Sequence, residues 1–208
     1  MKILRKIFGN ARKPEGAFGK MMVQGMNGGG HAALAKWGFE HISLIGNETV
    51  LDCGCGGGAN VNRLLSMLPN GMVYGLDYSE VSVNKSKQVN AKGIQAGHCE
   101  ILQGNVAKLP FADGRFELVT AFETVYFWPG IADCFKEVCR VMKDGGLFMI
   151  VNESDGKNEK SLRWTKIIDG MTVYTADELK ETLIAAGFSK TEVDDDVSKD
   201  RLVVKAWK

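Results

Sequence analysis

The sequence has no long apolar run, no internal repeat and no low-complexity tract. A membrane-spanning helix needs about 20 consecutive apolar residues, and no run in the 208-residue chain approaches that length. An excess of one charge is also missing, since the net charge is +1, which argues against bulk nucleic acid as a partner. The basic start, MKILRKIFGNARKPEG, lacks the apolar stretch of a signal peptide. We therefore expect a cytoplasmic protein without a membrane span.

The five cysteines lack the spacing of a metal site or a redox pair. No Cys-x-x-Cys is present, and no cysteine lies in a cluster that includes histidine, so a zinc site is not predicted. An odd number of cysteines is also unusual for a disulfide scaffold. The economical interpretation is five reduced thiols in the cytoplasm and no metal.

Short strand-like runs alternate with helical runs from residue 48 onwards. The strand-like runs are 48–53, 72–77, 99–104, 116–122 and 147–152. This alternation predicts a parallel sheet covered by helices on both faces. Two closing runs, SKTEVDDD and RLVVKAW, predict an antiparallel pair at the edge. The predicted fold is α/β, a Rossmann-like, doubly wound, mostly parallel sheet of seven strands with an antiparallel C-terminal strand.

Residues 1–45 are predicted to form a small N-terminal helical cap, and residues 46–208 the main domain. The cap is rich in Met and Gly. A lid hinged at residues 28–30 would exclude water from a site, and His31 is then a candidate catalytic residue. The alternative is that this helix is packed on the sheet by its Met residues and Trp37, with His31 exposed near its start.

The stretch VLDCGCGGGAN follows the first predicted strand with several glycines. Ligands of such sheets bind at the carboxyl ends of the strands, and glycine lets a ligand approach the backbone. The spacing of Gly54, Gly56 and Gly58 differs from the G-x-G-x-x-G of dinucleotide sites, which disfavours NAD. Asp52 precedes them at the end of an apolar strand. A carboxylate there is costly without a partner, so a ligand amine or backbone amides should lie nearby.

Polar side chains also end the next two predicted strands. Asp77 ends the second strand, where a carboxylate can accept both hydroxyl groups of a ribose. The competing interpretation is that Asp77 caps the following helix near Ser79. Asn105 ends the third strand and could accept a hydrogen bond from an adenine amino group, although asparagine there is often only a turn residue.

Together these features resemble the S-adenosylmethionine site of class I methyltransferases. The resemblance is to the small type-11 methyltransferases, the group around the ubiquinone and menaquinone C-methyltransferases, and it covers about residues 48–152. The segments that carry it are VLDCGCGGG, YGLDYS, LPFADGRFELV and FKEVCRVMKDGGLFMIV. It implies S-adenosylmethionine as the cofactor and S-adenosylhomocysteine as the product.

The resemblance also implies roles for matching positions. The glycines would pack against the methionine part of the cofactor, Asp52 would support its amino group, and Asp77 would bind the ribose. The predicted cofactor-binding residues are Asp52, Gly54, Cys55, Gly56, Gly58, Asn60, Asp77, Tyr78, Asn105, Val106 and Phe122. Gly104-Asn105-Val106 replaces the usual Gly-Asp-Ala of the family, and Asn105 keeps an acceptor oxygen. Cys53 and Cys55 are then small spacers in the loop.

Glu123 and Tyr126, which follow the fourth strand, are candidate catalytic residues together with His31. The methyl group of a sulfonium is already activated, so the protein mainly aligns the reactants and excludes water. A base is needed only if the nucleophile must lose a proton. Glu123 or Tyr126 could orient or deprotonate an acceptor, or be a solvated carboxylate and a packing aromatic. Phe127 and Trp128 could form the wall of a pocket for a flat or apolar acceptor.

The segment FETVYFWP departs from the Leu-His-His that many relatives have after strand four. It also lacks the Asn- or Asp-Pro-Pro-Tyr signature of enzymes that methylate nucleic-acid bases. We therefore predict an enzyme, an S-adenosylmethionine-dependent methyltransferase for a small molecule, as a monomer or homodimer. The alternatives are a non-catalytic protein that binds S-adenosylmethionine for sensing or assembly, an NAD-dependent oxidoreductase, and an RNA-binding methyltransferase that uses the basic first 13 residues.

Overall fold

Seven strands form one sheet in the order β3-β2-β1-β4-β5-β7-β6. The computed structural model describes Gly16 and residues 30–208. The strands are β1 Thr49–Cys53, β2 Met72–Asp77, β3 Cys99–Gln103, β4 Phe116–Phe122, β5 Met142–Asn152, β6 Lys190–Asp196 and β7 Arg201–Trp207. The first five strands pair in parallel, and β7 is antiparallel to both β5 and β6. The predicted Rossmann-like sheet is confirmed.

Seven α-helices lie within residues 30–208. They are α1 Gly30–Phe39, α2 Ala59–Met67, α3 Glu80–Val89, α4 Ala91–Gln95, α5 Ile131–Val141, α6 Glu159–Leu162 and α7 Ala176–Ala185. Short 3-10 turns occupy Val125–Phe127, Arg163–Lys166 and Val197–Lys199. Thr175 and Glu178 form a capping box at the start of α7, which satisfies backbone donors that the first helical turn leaves unpaired.

Helices cover both faces of the sheet, as the alternating pattern predicted. One face carries α1, α2 and α3, whose buried side chains include Leu34, Leu64 and Val83. The other face carries α5 and α7, which bury Phe135 and Leu179. Burying each such side chain contributes roughly 1.5–3 kcal/mol, so the two layers hold the strand ends in place.

The connection between α5 and β5 differs from the sequence prediction. Apolar residues recur at helical spacing over 131–142 and are followed by Asp144-Gly145-Gly146, which predicts a helix that includes Met142 and stops at 144–146. In the structure the helix ends at Val141, and Met142 already begins β5. The extra residues form an irregularity in the pairing of β5 with β4. Gly145 adopts a φ of 75° there, and its N–H donates to the carbonyl of Lys208. A glycine can take this conformation without steric cost, so the strand continues through the predicted turn.

Helix α1 packs directly on the sheet. Gly38 lies so close to Phe122 and Val151 that a Cβ on it would come within 2.8 Å of each side chain. The ring of Phe39 lies 4.8 Å from that of Phe122, and Trp37 packs against the same cluster. Of the two alternatives, a hinged lid and a helix packed on the sheet, the structure supports packing for this helix.

Most of the predicted cap lies outside the described residues. These undescribed positions are 1–15 and 17–29, which include most of the proposed hinge. The lid and the division at residue 45 therefore stay predictions. Among the described residues, no helix has the length and apolar character needed to cross a membrane.

Candidate active site

A cavity of about 440 Å³ opens at the carboxyl ends of β1 to β4. The strand order reverses at this edge, where open α/β sheets bind their ligands, and the volume is typical of a small-molecule site. The predicted site residues that line it are His31, Gly54, Cys55, Gly56, Asn60, Asp77, Tyr78, Asn105, Val106, Phe122 and Glu123. Asp52, Gly58 and Tyr126 are not among its lining residues.

The glycines of the loop between β1 and α2 serve different purposes. Gly54, Gly56 and Gly58 all have a positive φ. A Cβ on Gly58 would come within 2.5 Å of Asn90 and Ser86, whereas a Cβ on Gly56 would meet nothing within 4 Å. Gly58 is therefore required by the packing of the protein itself. Gly56 turns an open face toward the cavity, against which a ligand can lie.

The carboxylate of Asp77 is held on the cavity wall by backbone amides. It accepts hydrogen bonds from the N–H of Gly56 at 2.9 Å and from that of Ser79 at 2.8 Å. Burial raises its pKa above the ordinary value, and these backbone donors oppose the rise. Ser79, rather than Asp77, is the N-cap of α3 and accepts from the N–H of Ser82. Asp77 therefore remains suited to accept ribose hydroxyls.

Asn105 also lines the cavity, with its side-chain oxygen already engaged. The Oδ1 atom accepts a hydrogen bond from the N–H of Ala107 at 3.0 Å, as expected of a turn residue. A carbonyl oxygen has two lone pairs and the amide group two N–H donors. Asn105 can therefore stabilise the turn and still contact a purine.

Asp52 lies in the protein interior beneath the loop. Its side chain is 2% exposed, and its carboxylate accepts a hydrogen bond from the Thr120 hydroxyl at 2.7 Å. Burial, with a smaller contribution from the charge of Asp77, raises the pKa of Asp52 to about 7 although the Thr120 hydrogen bond opposes the rise. The partner found for Asp52 is thus a threonine of β4, and its predicted contact with a cofactor amine stays a prediction.

Cys53 and Cys55 are both buried, and all five cysteines are free. Burial raises the pKa of each thiol well above its ordinary value. The thiolate is the form that binds metal ions and reacts as a nucleophile, so these two thiols are poor candidates for either role. Their small size in a crowded loop supports the predicted spacer role.

Glu123 has a strained backbone next to the cavity. Its φ is 60°, in the left-handed region that non-glycine residues seldom adopt. Its Oε1 accepts hydrogen bonds from the Tyr126 hydroxyl at 3.1 Å and from the N–H of Glu153. Burial raises the pKa of Glu123 to about 8. Strained residues cluster at functional sites, and this one presents a carboxyl that can exchange a proton near neutral pH.

Tyr126 stands behind Glu123 rather than on the cavity wall. It is 3% exposed, and its hydroxyl donates to Glu123 while accepting from the N–H of Ser154. Burial raises the pKa of Tyr126 well above its ordinary value, so it stays protonated as a donor. The structure gives it the geometry of a positioning residue for Glu123.

His31, Glu123 and Glu153 come together at one side of the cavity. One side-chain ligand atom from each lies within 4.8 Å of the others. Such a group could pass a proton from the half-buried Glu123 to the exposed Glu153, or hold a divalent cation. The sequence prediction missed Glu153, although its place directly after β5 puts it at the same edge of the sheet as the other strand ends.

Aromatic side chains form the other part of the wall. Phe122, Phe127 and Trp128 all line the cavity. Trp128 also stacks on Phe148 with ring centroids 6.1 Å apart, so it belongs to both the core and the site. This surface suits a flat or apolar molecule, as the sequence indicated.

Arg63 and Thr124 line the cavity but were not predicted from the sequence. The signal for Arg63 was its position three residues after Asn60, on the same face of α2. Thr124 donates a hydrogen bond from its hydroxyl to the carbonyl of Cys53. It therefore ties the end of β1 to the segment after β4, a contact that local patterns do not reveal.

Comparison with known proteins points to one family. A family model described as a methyltransferase domain matches residues 45–195. The chain is 33% identical over 101 residues to cycloartenol-C-24-methyltransferase 1 of Oryza sativa subsp. japonica, covering 49% of this chain and 29% of that protein. It is 24% identical over 157 residues to sterol 24-C-methyltransferase of Pneumocystis carinii, covering 71% and 41%. The chain thus spans less than half the length of these relatives.

Solved structures share the fold. The putative methyltransferase in complex with the Haloferax volcanii Trm112 activator superposes with a TM-score of 0.79 at 20% identity, covering 89% of this chain and 93% of that one. A SAM-dependent methyltransferase from Aquifex aeolicus gives 0.74 at 22% identity, covering 90% and 97%. Identities this low show the fold alone. The family model, which matches most of the sequence, shows that this chain belongs to the methyltransferase domain family, with the class I fold that its motifs predicted.

Proposed function

We propose that the protein transfers a methyl group from S-adenosylmethionine to a small molecule bound in the cavity. The observation that carries the proposal is the cavity itself, in which the open face of Gly56, the carboxylate of Asp77 and the carboxyl of Glu123 line one space. Membership of the methyltransferase domain family supports the reaction. The geranyl diphosphate methyltransferase structure in complex with SAM, a fold relative, supports the cofactor.

The half of the cavity beside the glycine loop fits the cofactor. Bound there, S-adenosylmethionine supplies an activated methyl group on a sulfonium. Asp77 would accept the ribose hydroxyls, Asn105 and Val106 would flank the adenine, and Gly56 would leave room for the methionine part against the backbone. With the cofactor in this place, these residues would bind and orient it toward an acceptor at the aromatic wall.

The half of the cavity beside Phe122, Phe127 and Trp128 fits an apolar acceptor. Several relatives are named as methyltransferases of apolar molecules, such as the sterol enzymes and squalene methyltransferase 1 of Botryococcus braunii, which is 32% identical over 98 residues. Aromatic faces both exclude water and attract positive charge. We propose an apolar small molecule as the acceptor class.

Glu123 accepts a proton when the acceptor must lose one. Its raised pKa makes it a stronger base than an ordinary carboxylate, and a base with a pKa near the working pH is the most effective. Tyr126 and the N–H of Glu153 hold the carboxyl in place. Glu123 is therefore the catalytic residue of the proposal, and Tyr126 is a positioning residue.

The cellular setting is part of the same proposal. All five cysteines are free, which fits a reducing compartment. We propose a cytoplasmic protein that acts as a monomer or homodimer on a small molecule. Light scattering on the purified protein measures the oligomeric state.

The first experiment is a calorimetric titration with S-adenosylmethionine, S-adenosylhomocysteine and NAD. We expect the first two ligands to bind and NAD not to bind. Asp77→Ala should raise the Kd of both sulfur nucleosides by about tenfold or more, because the hydrogen bonds to the ribose are lost. The control is Asp144→Ala, which removes a fully exposed carboxylate far from the cavity.

Three results would contradict the proposal or redirect it. Failure of both sulfur nucleosides to bind would overturn it. Binding of NAD alone would favour the oxidoreductase. Tight binding of S-adenosylmethionine without methyl transfer to any member of a panel of apolar acceptors would favour the non-catalytic alternative.

A further inference from the structure

One permanent cation lines the cavity in the part of the chain that the structure describes. This residue is Arg63, whereas the carboxyl and imidazole groups on the wall belong to Asp77, Glu123 and His31. The buried carboxyl of Asp52 lies beneath the same loop. The cavity is therefore acidic around the loop and basic at a single position on α2.

Arg63 has most of its hydrogen-bonding capacity unused by the described residues. Its Nη1 donates to Oδ1 of Asn60 at 3.4 Å, a long hydrogen bond. Its guanidinium lies 5.6 Å from the ring centre of Phe39. None of the described carboxylates forms an ion pair with it, although a guanidinium carries five N–H donors. Phe39 thus supports the group from one side and leaves its donors available.

The position of Arg63 places those donors next to the glycine loop. Helix α2 begins at Ala59, directly after the loop, and buries Val61 and Leu64. Ala59, Asn60 and Arg63 lie beside this buried stripe and line the cavity. The loop therefore lies between Asp77 at the end of β2 and Arg63 on α2.

We propose that Arg63 binds the carboxylate of the methionine part of S-adenosylmethionine. This inference rests on the proposed function, and it gives a role to a residue that the glycine and acidic motifs do not include. The methionine carboxylate is the single anionic group of that ligand. Like charge opposes its placement beside Asp77, whereas a planar guanidinium pairs with a carboxylate through two parallel hydrogen bonds. With the ribose on Asp77, the amino-acid part then extends along the loop toward α2.

The test compares two ligands that differ by one group, S-adenosylmethionine and decarboxylated S-adenosylmethionine. Calorimetry gives the Kd of each for the wild type, Arg63→Met and Arg63→Lys. Methionine keeps an apolar stem against Phe39 but removes the charge, and lysine keeps the charge but not the fork of donors. Lys87→Met, which removes an exposed cation from α3, is the matched control. Thermal unfolding establishes that each variant is folded.

We expect Arg63→Met to raise the Kd for S-adenosylmethionine by ~10–100-fold, because a charge-assisted hydrogen-bonded pair is lost. Decarboxylated S-adenosylmethionine should bind wild type and Arg63→Met equally, and Arg63→Lys should recover part of the affinity for the complete cofactor. An equal loss for both ligands, or no loss for either, would overturn the role of Arg63 and leave the proposed function intact. No binding of S-adenosylmethionine to the wild type would overturn both.

Discussion

Glu123 combines a strained backbone with a half-buried carboxyl group. Among the described residues, it and Asp200 are the non-glycine residues with a positive φ. Such a conformation costs about 1–3 kcal/mol, and here the hydrogen bonds from Tyr126 and Glu153 offset part of that cost. Both hydrogen bonds end on Oε1 of Glu123, so the other carboxyl oxygen is available to an acceptor.

The raised pKa of Glu123 makes stability depend on pH in a defined direction. Between its ordinary value of 4.5 and about 8, the carboxyl is ionised in the unfolded chain and protonated in the folded one. The unfolded chain then binds fewer protons, so the contribution of Glu123 to the free energy of unfolding falls as pH rises through this range. Glu123→Gln cannot ionise, so the variant lacks this fall in the free energy of unfolding.

Urea denaturation at pH 5, 6, 7 and 8 measures the effect. We expect the stability of Glu123→Gln relative to wild type to increase from pH 5 to pH 8. The control is Glu117→Gln, because the pKa of Glu117 is lowered by Lys143 and the N–H of Thr49 despite the effect of burial. Parallel pH dependence of Glu123→Gln and wild type would show that Glu123 is ionised in the folded protein.

In the loop between β1 and α2, one glycine is required by the packing of the protein and another faces the space for a ligand. Gly58 has no room for a side chain, whereas Gly56 faces open space in the cavity. Both residues have a positive φ, so alanine at either position carries a similar conformational cost of about 1–2 kcal/mol. The remaining difference between the two substitutions comes from what surrounds each position.

Alanine substitutions in this loop should therefore have different consequences. We expect Gly58→Ala to lower the melting temperature more than Gly56→Ala, because its methyl group would contact Asn90 and Ser86. Gly56→Ala should keep most of the stability and lose affinity for S-adenosylhomocysteine by about tenfold or more, since the methyl group occupies the ligand's space. Thermal unfolding and calorimetry measure the two effects. Unchanged affinity in a folded Gly56→Ala would show that the ligand does not lie against this face.

In the whole molecule, the buried core that stabilises the fold and the sheet edge that forms the cavity are largely different sets of residues. Leu179 of α7 is fully buried in the layer on one side of the sheet, and it is not among the residues that line the cavity. Phe122 contributes to both, since it lines the cavity and packs against Phe39. Stability and binding should therefore respond differently to changes at these two positions.

We expect Leu179→Ala to lower the free energy of unfolding by ~2–5 kcal/mol, through lost apolar burial and the cavity left behind. The Kd for S-adenosylhomocysteine should stay unchanged, because the strand ends keep their positions. Lys180→Ala, on the next and more exposed position of α7, is the control with little effect on either quantity. Denaturant unfolding and calorimetry provide the two values. A large change in Kd would mean that α7 and the cavity are coupled across the sheet.

Local sequence patterns were sufficient for the fold and for much of the cavity. Alternating strands and helices predicted the parallel sheet, because periodicity reports which face of each element is buried. The glycine loop, Asp77 and Asn105 follow directly from the positions of strand ends, which a parallel sheet brings to one edge. The end of α5 was missed because Gly145 continues a strand by adopting a conformation that the sequence indicated as a stop.

The sequence by itself determined the order of the strands and helices, the strand ends that meet, and the membership of the methyltransferase domain family. Only the tertiary structure decided which side chains reach the cavity. It placed Asp52 beneath the loop against Thr120, Tyr126 behind Glu123, and His31 beside Glu123 and Glu153. The physical reason is that periodicity assigns a residue to a face, whereas contacts between distant segments depend on strand register and on the path of each loop after its strand.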